Sequence, residues 1–472
     1  SGSEPSFWDD PPPIYFGDLH THSTHSIDVF VMQTPLLNGP GEVSAEVLCN
    51  FARYCSKVDF WSLTDHQTDA PTRLWTENLT SARACDAAGG DTDPVVFLGY
   101  EWQQSSEDLS VNYGHKNVDP DNQDAYDALG ETILQGLETP RCPDDVASPD
   151  LPADCIEAVN DPQTLARKLD EWDADALIIP HGNTWGQHHI PGMSWRPQLA
   201  PPQRIDERQR LIEIYSGHGS MEEWFPWDGD VIDDDGERTC PEPVLGDDNQ
   251  VVYEPCCWRA GEIVRERAPE CASTPDGETC EAAVAEARAA YIEAGRFGIT
   301  TLPDVEPEAW LDCGECRDCF QPTQQYRPGG SVQAALASTY FGEDGPRHWQ
   351  WGFVGATDSH AVGPGAGYKE QREMSDIFGP RLAEYDALID FAAPQVFPEW
   401  ERQNSYYYSG GLTGVHAFDG SRDGLYEALW NRQTYATSGD RIELWVFLDN
   451  APEGDAPMGS RVAMSEAPSF TI

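Results

Sequence analysis

The chain has 472 residues, with 29 basic against 82 acidic side chains, a formal charge of −53, and 39% hydrophobic and 11% aromatic content. At about 100 to 200 residues per domain, that length allows two to four domains or one barrel with long insertions. The charge leaves no basic stripe to track phosphates, which weighs against a nucleic-acid polymer as partner, and the longest apolar runs, such as Ala176 to Pro180, are too short for a membrane span.

Ser1 to Pro13 reads as a polar, Pro-rich arm. Six short apolar runs then end abruptly in chemically capable residues: Ile14 to His22, Val58 to His66, Val95 to Trp102, Ala176 to Asn183, Leu211 to Gly217 and Gly352 to His360. Helical spacing falls between many of them, at Ser44 to Lys57, Pro162 to Trp172 and Glu281 to Gly295. Strands alternating with helices predict a parallel sheet. In a closed α/β barrel the chemistry gathers at the carboxyl ends of the strands, where this chain repeatedly places His, Asp and Glu. An open sheet would use a single crevice instead. Between about 185 and 350 the pattern dilutes into a cysteine-rich insertion, with an acidic run at Asp228 to Glu237. Gly411 to Phe418, an amphipathic helix at Arg422 to Gln433 and an alternating Arg441 to Leu448 return to regular structure. The expected organisation is an arm (1–13), a barrel (14–440) interrupted by the insertion, and a C-terminal β segment (441–472).

His20 and His22 lie two apart at the end of the first strand, so both imidazoles face one way and can reach one cation. Asp28, Asp65, His66, Glu101, His115, His181, Asp358 and His360 join them, nearly all at the ends of separate predicted strands. Imidazole with carboxylate and no thiolate suits zinc, iron or manganese.

The phrases GDLHTHSTHSID, LTDH, the strand-end Glu101, YGHKNV, IIPHGN and TDSH, in this order, resemble the polymerase and histidinol phosphatase (PHP) superfamily. The resemblance runs from Tyr15 to about Ile442. It is nearest a secreted, little-characterised branch with GHKNV-like, EIYSG-like and late YATSG-like stretches. It implies a distorted seven-stranded TIM-like (β/α) barrel holding two or three zinc, manganese or iron ions and hydrolysing phosphate esters, mono- or diesters. Carried over by motif, His20, His22, Glu101 and Asp358 hold one metal. Glu101 bridges to a second, held by His115 and His181, and Asp28, His66 and His360 complete a third. Asp28 stands where many relatives have His.

On this reading a metal-bridging water, acidified by the ions, attacks phosphorus in line, with no side-chain nucleophile. His66, Glu101 and His181 are the catalytic set. Asp65 joins them, orienting a ligand imidazole or accepting the leaving-group proton. Three divalent ions less the charges of Asp28, Glu101 and Asp358 leave the site locally positive, so a small phosphoester can bind despite the global charge. Lys116, Asn117, Asn183 and Arg441 are the candidate phosphate contacts, Arg because its fork matches phosphate geometry. His416 reads as a packing histidine.

Thirteen cysteines, mostly in loop-like stretches, predict disulfides and an oxidising compartment, hence a secreted, periplasmic or cell-surface protein. Cys313, Cys316 and Cys319 have spacing that also suits a metal or iron–sulfur site. The start at Ser1 is expected for a mature exported chain. Only Lys57, Lys116, Lys168 and Lys369 are lysines, and an acidic, arginine-rich surface fits a marine or salt-adapted bacterium as well as a GC-rich genome. Two rivals stay open. One is an amidohydrolase-like enzyme acting on an amide, lactone or sulfate ester, though none of those lysines ends an apolar strand as a carboxylated lysine would. The other is a secreted structural or binding protein in which metals, including calcium in loops such as Asp228 to Asp235, only support the fold.

Overall fold

The computed structural model describes residues 11–26, 29, 43–66, 72–88, 93–103, 114–119, 162–171, 175–181, 207–216, 219–220, 229–232, 238–293, 307–311, 331–342, 345–359, 363–366 and 411–472, with isolated residues between them. Each apolar run singled out above that is described forms a strand. β1 spans Ile14–Asp18, β2 Phe60–Leu63, β3 Val95–Gln103, β4 Gly114–Asp119, β5 Leu177–His181, β6 Leu211–Ser216, β7 Gly352–Gly355, β8 Leu412–His416 and β9 Thr434–Thr437. Helix α1 (Ala45–Asn50) continues into a wider turn at Phe51–Ser56, and α2 (Thr72–Ala87) and α3 (Pro162–Glu171) follow.

A seven-stranded sheet runs in the order β9-β8-β1-β2-β3-β4-β5, and β7 pairs with β6 in a second sheet. β1, β2 and β3 are parallel, as are β6 and β7. The parallel expectation fails elsewhere, because β4 runs antiparallel to both β3 and β5, and β8 antiparallel to β1 and β9. The link from β3 to β4 is too short for the helical crossover that a parallel pair needs.

Hydrogen bonds bridge the two sheets at both ends of the second. Ile178 N donates to Arg208 O at 3.0 Å, beside the start of β6. Gly411 N donates to Ala356 O at 2.7 Å, and the Thr413 hydroxyl donates to Gly355 O at 2.7 Å. Gly355 is what permits the second approach, since a Cβ there would meet Leu412 O at 2.8 Å. One side chain or more from β2, β3, β5, β6, β7 and β8, namely Phe60, Phe97, Leu177, Ile179, Leu211, Val354 and Val415, meets in a common buried cluster. The opposite face of β2, β3 and β5, with Trp61, Leu63, Val96, Leu98 and Ile178, packs with Leu48, Leu79 and Leu165 of the helices. Alternation along each strand thus divides two cores.

The amino end of the strands is covered by a helix, Arg422–Trp430, whose Leu425, Ala428 and Leu429 repeat at helical spacing and enter the first cluster. Ser421 caps it, its Oγ accepting from Gly424 N at 3.3 Å. Tyr426 Oη donates to Asp175 O at 2.9 Å and Arg422 to Val96 O at 3.0 Å, tying the helix to the starts of β5 and β3.

Within the cysteine-rich stretch, the helices Cys256–Arg267 and Glu278–Glu293 pack as a hairpin. Disulfides join Cys240 to Cys257, Cys256 to Cys313 and Cys271 to Cys280, and a fourth joins Cys49 of α1 to Cys85 of α2. Cys313 is therefore committed to Cys256 and unavailable to the metal or iron–sulfur spacing considered above. Cys142, Cys155, Cys316 and Cys319 lie outside the described residues. Four disulfides match an oxidising compartment. No helix among the described residues is long and apolar enough to cross a membrane. The alternating segment after Arg441 forms less strand than its pattern predicts, with only Phe447–Leu448 paired, between Ala456–Pro457 and Phe470–Thr471.

Candidate metal centre

The carboxyl end of β1 continues as an extended segment that changes partners. Its lower part pairs with β8, whereas Thr21 bridges in parallel to Ser359, just beyond β7. Asp358 N donates to His20 O at 3.0 Å and His22 N to Ser359 O at 3.0 Å, so the His-x-His segment and Asp358 are zipped side by side. Below this junction the buried Asp18 carboxylate accepts from Thr357 N (3.1 Å), Thr357 Oγ1 (2.5 Å), Gly365 N (2.7 Å) and His20 N (3.2 Å). Asp358 itself adopts a left-handed backbone, φ 51°, a conformation Asp tolerates better than most residues and one that recurs at functional sites.

Four ligand atoms converge above. His20 Nε2 and His22 Nε2 are 3.1 Å apart. Glu101 Oε2 lies 3.3 Å from the first and 3.2 Å from the second, and Asp358 Oδ1 the same distances from each. All four side chains are buried. Glu101 reaches in two directions, since its Oε1 is 3.0 Å from His181 Nε2 while His66 Nδ1 is 3.5 Å from Oε2. His181 Nε2 is buried there without a hydrogen bond among the described residues.

The tautomers follow from what lies behind each ring. Ser26 Oγ donates to Asp65 Oδ1 at 2.9 Å, so toward His22 Nδ1, at 3.0 Å, it acts as acceptor. His22 then carries its proton on Nδ1 and offers a lone pair at Nε2. His20 Nδ1 faces both oxygens of Glu213, at 3.2 and 3.3 Å. Lone pairs of two imidazoles and two carboxylates therefore point at one another across about 3 Å, an arrangement that positive charge between them satisfies and that a bound cation would supply. The electrostatics agree. Burial alone would push the His22 imidazole down, yet Asp358 and Glu101 hold it well above the usual histidine range. Burial would raise Glu101, yet His66, His181 and His20 hold it well below the usual carboxylate range. The residues present thus fit a divalent transition ion, with His20, His22, Glu101 and Asp358 as its ligands.

Other expected residues fall differently. Asp65 does not enter the cluster. Both its oxygens are occupied by Ser23 N (2.7 Å), Ser23 Oγ (2.8 Å), Ser26 Oγ and Asn78 Nδ2 (2.7 Å), which makes it an anchor behind His22 and removes the proton-accepting role. Arg441 is not a phosphate contact. Its guanidinium donates to Ser56 O and Lys57 O (2.7 Å), ahead of β2 and at the amino end of the strands, away from the cluster. In the β3–β4 register Lys116 stands opposite Glu101, while His115 stands opposite Trp102 and Pro180. The side chains of His115, Lys116 and Asn117, and all of Asp28, Asn183 and His360, lie outside the described residues. His416 is a packing residue, buried against Tyr435 and Trp445 with Nε2 donating to Leu444 O at 2.8 Å. Glu213 is the residue that the strand-end pattern misses, because it sits inside β6. Its signal is a single carboxylate in the apolar run LIEIY.

Residues 339–466 match a family described as a protein of unknown function (DUF3604). A 65-residue stretch is 45% identical to an "Uncharacterized protein" of Chlamydia trachomatis and 43% identical to one of Chlamydia muridarum, covering 14% of this chain and 10% of each relative. The match thus spans about a tenth of the length of these curated relatives. Among solved structures, a protein of Bifidobacterium adolescentis named as a candidate metal-dependent phosphoesterase aligns with 44% of this chain and 80% of its own, at 13% identity and a TM-score of 0.23.

Proposed function

We propose that this protein is an exported metal-dependent hydrolase of phosphate esters, built on a distorted α/β barrel of the PHP type. The observation that carries the reading is the convergence of His20 Nε2, His22 Nε2, Glu101 Oε2 and Asp358 Oδ1 in a buried site at the carboxyl end of the strands. Closure into a barrel is supported by the hydrogen bonds that join β5 to the start of β6 and β7 to β8, and by the cluster to which six of the strands contribute.

Zinc, manganese or iron bound there supplies Lewis acidity, which lowers the pKa of a water and offsets the charge that builds on phosphoryl oxygens. The chain's own residues divide the remaining work. His20, His22 and Asp358 would hold the ion, and Glu101, with one oxygen toward them and the other toward His181, would be available to a second ion alongside His181. Among the described imidazoles of the group His66 is the most open, with 15% of its side chain exposed, and on this reading it passes a proton to the departing alkoxide. The four acceptors face inward toward the ion, and on this reading water is the attacking group.

The test is metal content by mass spectrometry on protein purified without added metals or chelators, followed by turnover of p-nitrophenyl phosphate, bis(p-nitrophenyl) phosphate and an amide and lactone panel. At least one zinc, manganese or iron atom per chain with phosphoester turnover is expected. Calcium alone, or no metal, overturns the reading in favour of a structural role, and turnover confined to amides or lactones moves it to the amidohydrolase class.

A further inference from the structure

Glu213 is buried in the interior of β6, with 1% of its side chain exposed, and both its oxygens face His20 Nδ1 at 3.2 and 3.3 Å. Leu211, two residues earlier on the same strand, belongs to the interior cluster, whereas Ile212 and Ile214 pack on the other side against Trp195 and Trp351. Alternation therefore aims Glu213 inward by the same logic that aims Glu101 and His181. A buried carboxylate is costly unless ionically and hydrogen-bond compensated, so its position behind a ligand imidazole is not neutral surface decoration.

Resting on the metal reading above, we propose that Glu213 is a positioning residue of the metal centre, which fixes His20 as the Nδ1–H tautomer and strengthens Nε2 as a ligand. An ionised carboxylate can only accept, so Nδ1 must donate and the Nε2 lone pair is left pointing at His22, Glu101 and Asp358. The two histidines of the motif are thereby backed unequally, His20 by a charge and His22 by the neutral hydroxyl of Ser26. The competing arrangement has Glu213 itself as a ligand, because His20, His181 and Glu213 also offer atoms within 4.8 Å of one another. That arrangement uses His20 Nδ1 and puts the ring's proton on Nε2, in the middle of the four-atom convergence, which then loses a ligand.

The full-length wild type is compared with Glu213→Gln, which still accepts a hydrogen bond, and Glu213→Leu, which does not. Zinc is the probe, its affinity measured by competition with a chromogenic chelator, its stoichiometry at saturation by mass spectrometry, and folding by thermal melting of the chelator-treated proteins. Expected is a zinc affinity about 10- to 100-fold weaker in Glu213→Leu and about 3- to 10-fold weaker in Glu213→Gln, at unchanged stoichiometry. In zinc-loaded, 15N-histidine-labelled protein, His20 is expected to carry zinc on Nε2 and a hydrogen-bonded proton on Nδ1 in the wild type, and to lose the Nδ1–H hydrogen bond in Glu213→Leu. Equal affinities in folded variants overturn the proposal, as does loss of one zinc per chain at saturation in Glu213→Gln, which identifies a ligand instead. If Glu213→Leu fails to melt cooperatively, Glu213→Gln decides alone, an affinity within about 2-fold of wild type overturning the proposal. A wild type that binds no transition metal overturns the metal reading itself, whatever the variants do.

Discussion

At the scale of single residues, the centre is held by side chains that never touch its ligand atoms. Asp65 illustrates this, with four donors on its two oxygens in a fully enclosed position. In Asp65→Asn an amide NH2 replaces one acceptor and faces donors, leaving buried groups unpaired at a cost of about 1–3 kcal/mol. Urea denaturation is expected to show that loss, together with weaker metal retention because His22 loses its Ser26 anchor. His416 makes the opposite case of a buried titratable group with no part in the chemistry. Burial lowers its pKa below the ordinary histidine value, against the raising effect of the Leu444 carbonyl. A histidine depressed in the folded state contributes stability that is fully present above the unfolded value near 6.5 and is lost as pH falls through the folded value. His416→Phe is expected to flatten the acid limb of a melting-temperature profile below about pH 6.5, and an unchanged limb would refute the assignment.

At the scale of elements, the helix Arg422–Trp430 acts as a plug for the amino end of the strands. Leu429 is fully buried in the cluster it shares with Phe97 and Ile179. Leu429→Ala is expected to cost about 2–5 kcal/mol in chemical denaturation while leaving metal stoichiometry intact, since the cavity opens at the end remote from His20. The strands and most of their helices are legible from alternation and helical spacing alone, and His20, His22, Glu101, His181 and Asp358 stand out because polar residues at strand ends interrupt apolar runs. Other features depend on information that no local pattern carries. The antiparallel course of β4 and the opposition of Lys116, in place of His115, to Glu101 are matters of register, where one residue's shift exchanges the two faces. Arg441 looks like a phosphate ligand by residue type, but its place is set by the chain returning to the amino end of β2, where exposed carbonyls claim it. Cysteine partners such as Cys256 and Cys313, 57 positions apart, depend on how the segments between them pack. Glu213 is masked by its own strand, since a charged residue in the middle of LIEIY reads as a solvent-facing position until the second core on the other side of β6 is seen.

At the scale of the molecule, a charge of −53 surrounds a site whose residues fit a cation and that, on the proposed function, takes an anionic substrate. Like charges across the surface oppose compaction, and added salt screens them over about 8–10 Å near physiological ionic strength. The melting temperature is therefore expected to rise between about 0.05 and 1 M sodium chloride, scaling with the Debye length. A flat or falling curve would indicate that surface ion pairs such as Arg265–Glu281 outweigh the net repulsion. The pairing of the segment after β1 with the segment after β7 has a consequence in time. Asp18 and Thr357 are 339 positions apart, yet their contact underlies the junction that presents His20 beside Asp358. A chain emerging from the ribosome holds its first two histidines for most of its synthesis with no Asp358 to complete the set. The cluster can close only after Asp358 has been made, so on the proposed function metal loading belongs to the finished protein, and the compartment in which folding ends decides which ion is on offer to it.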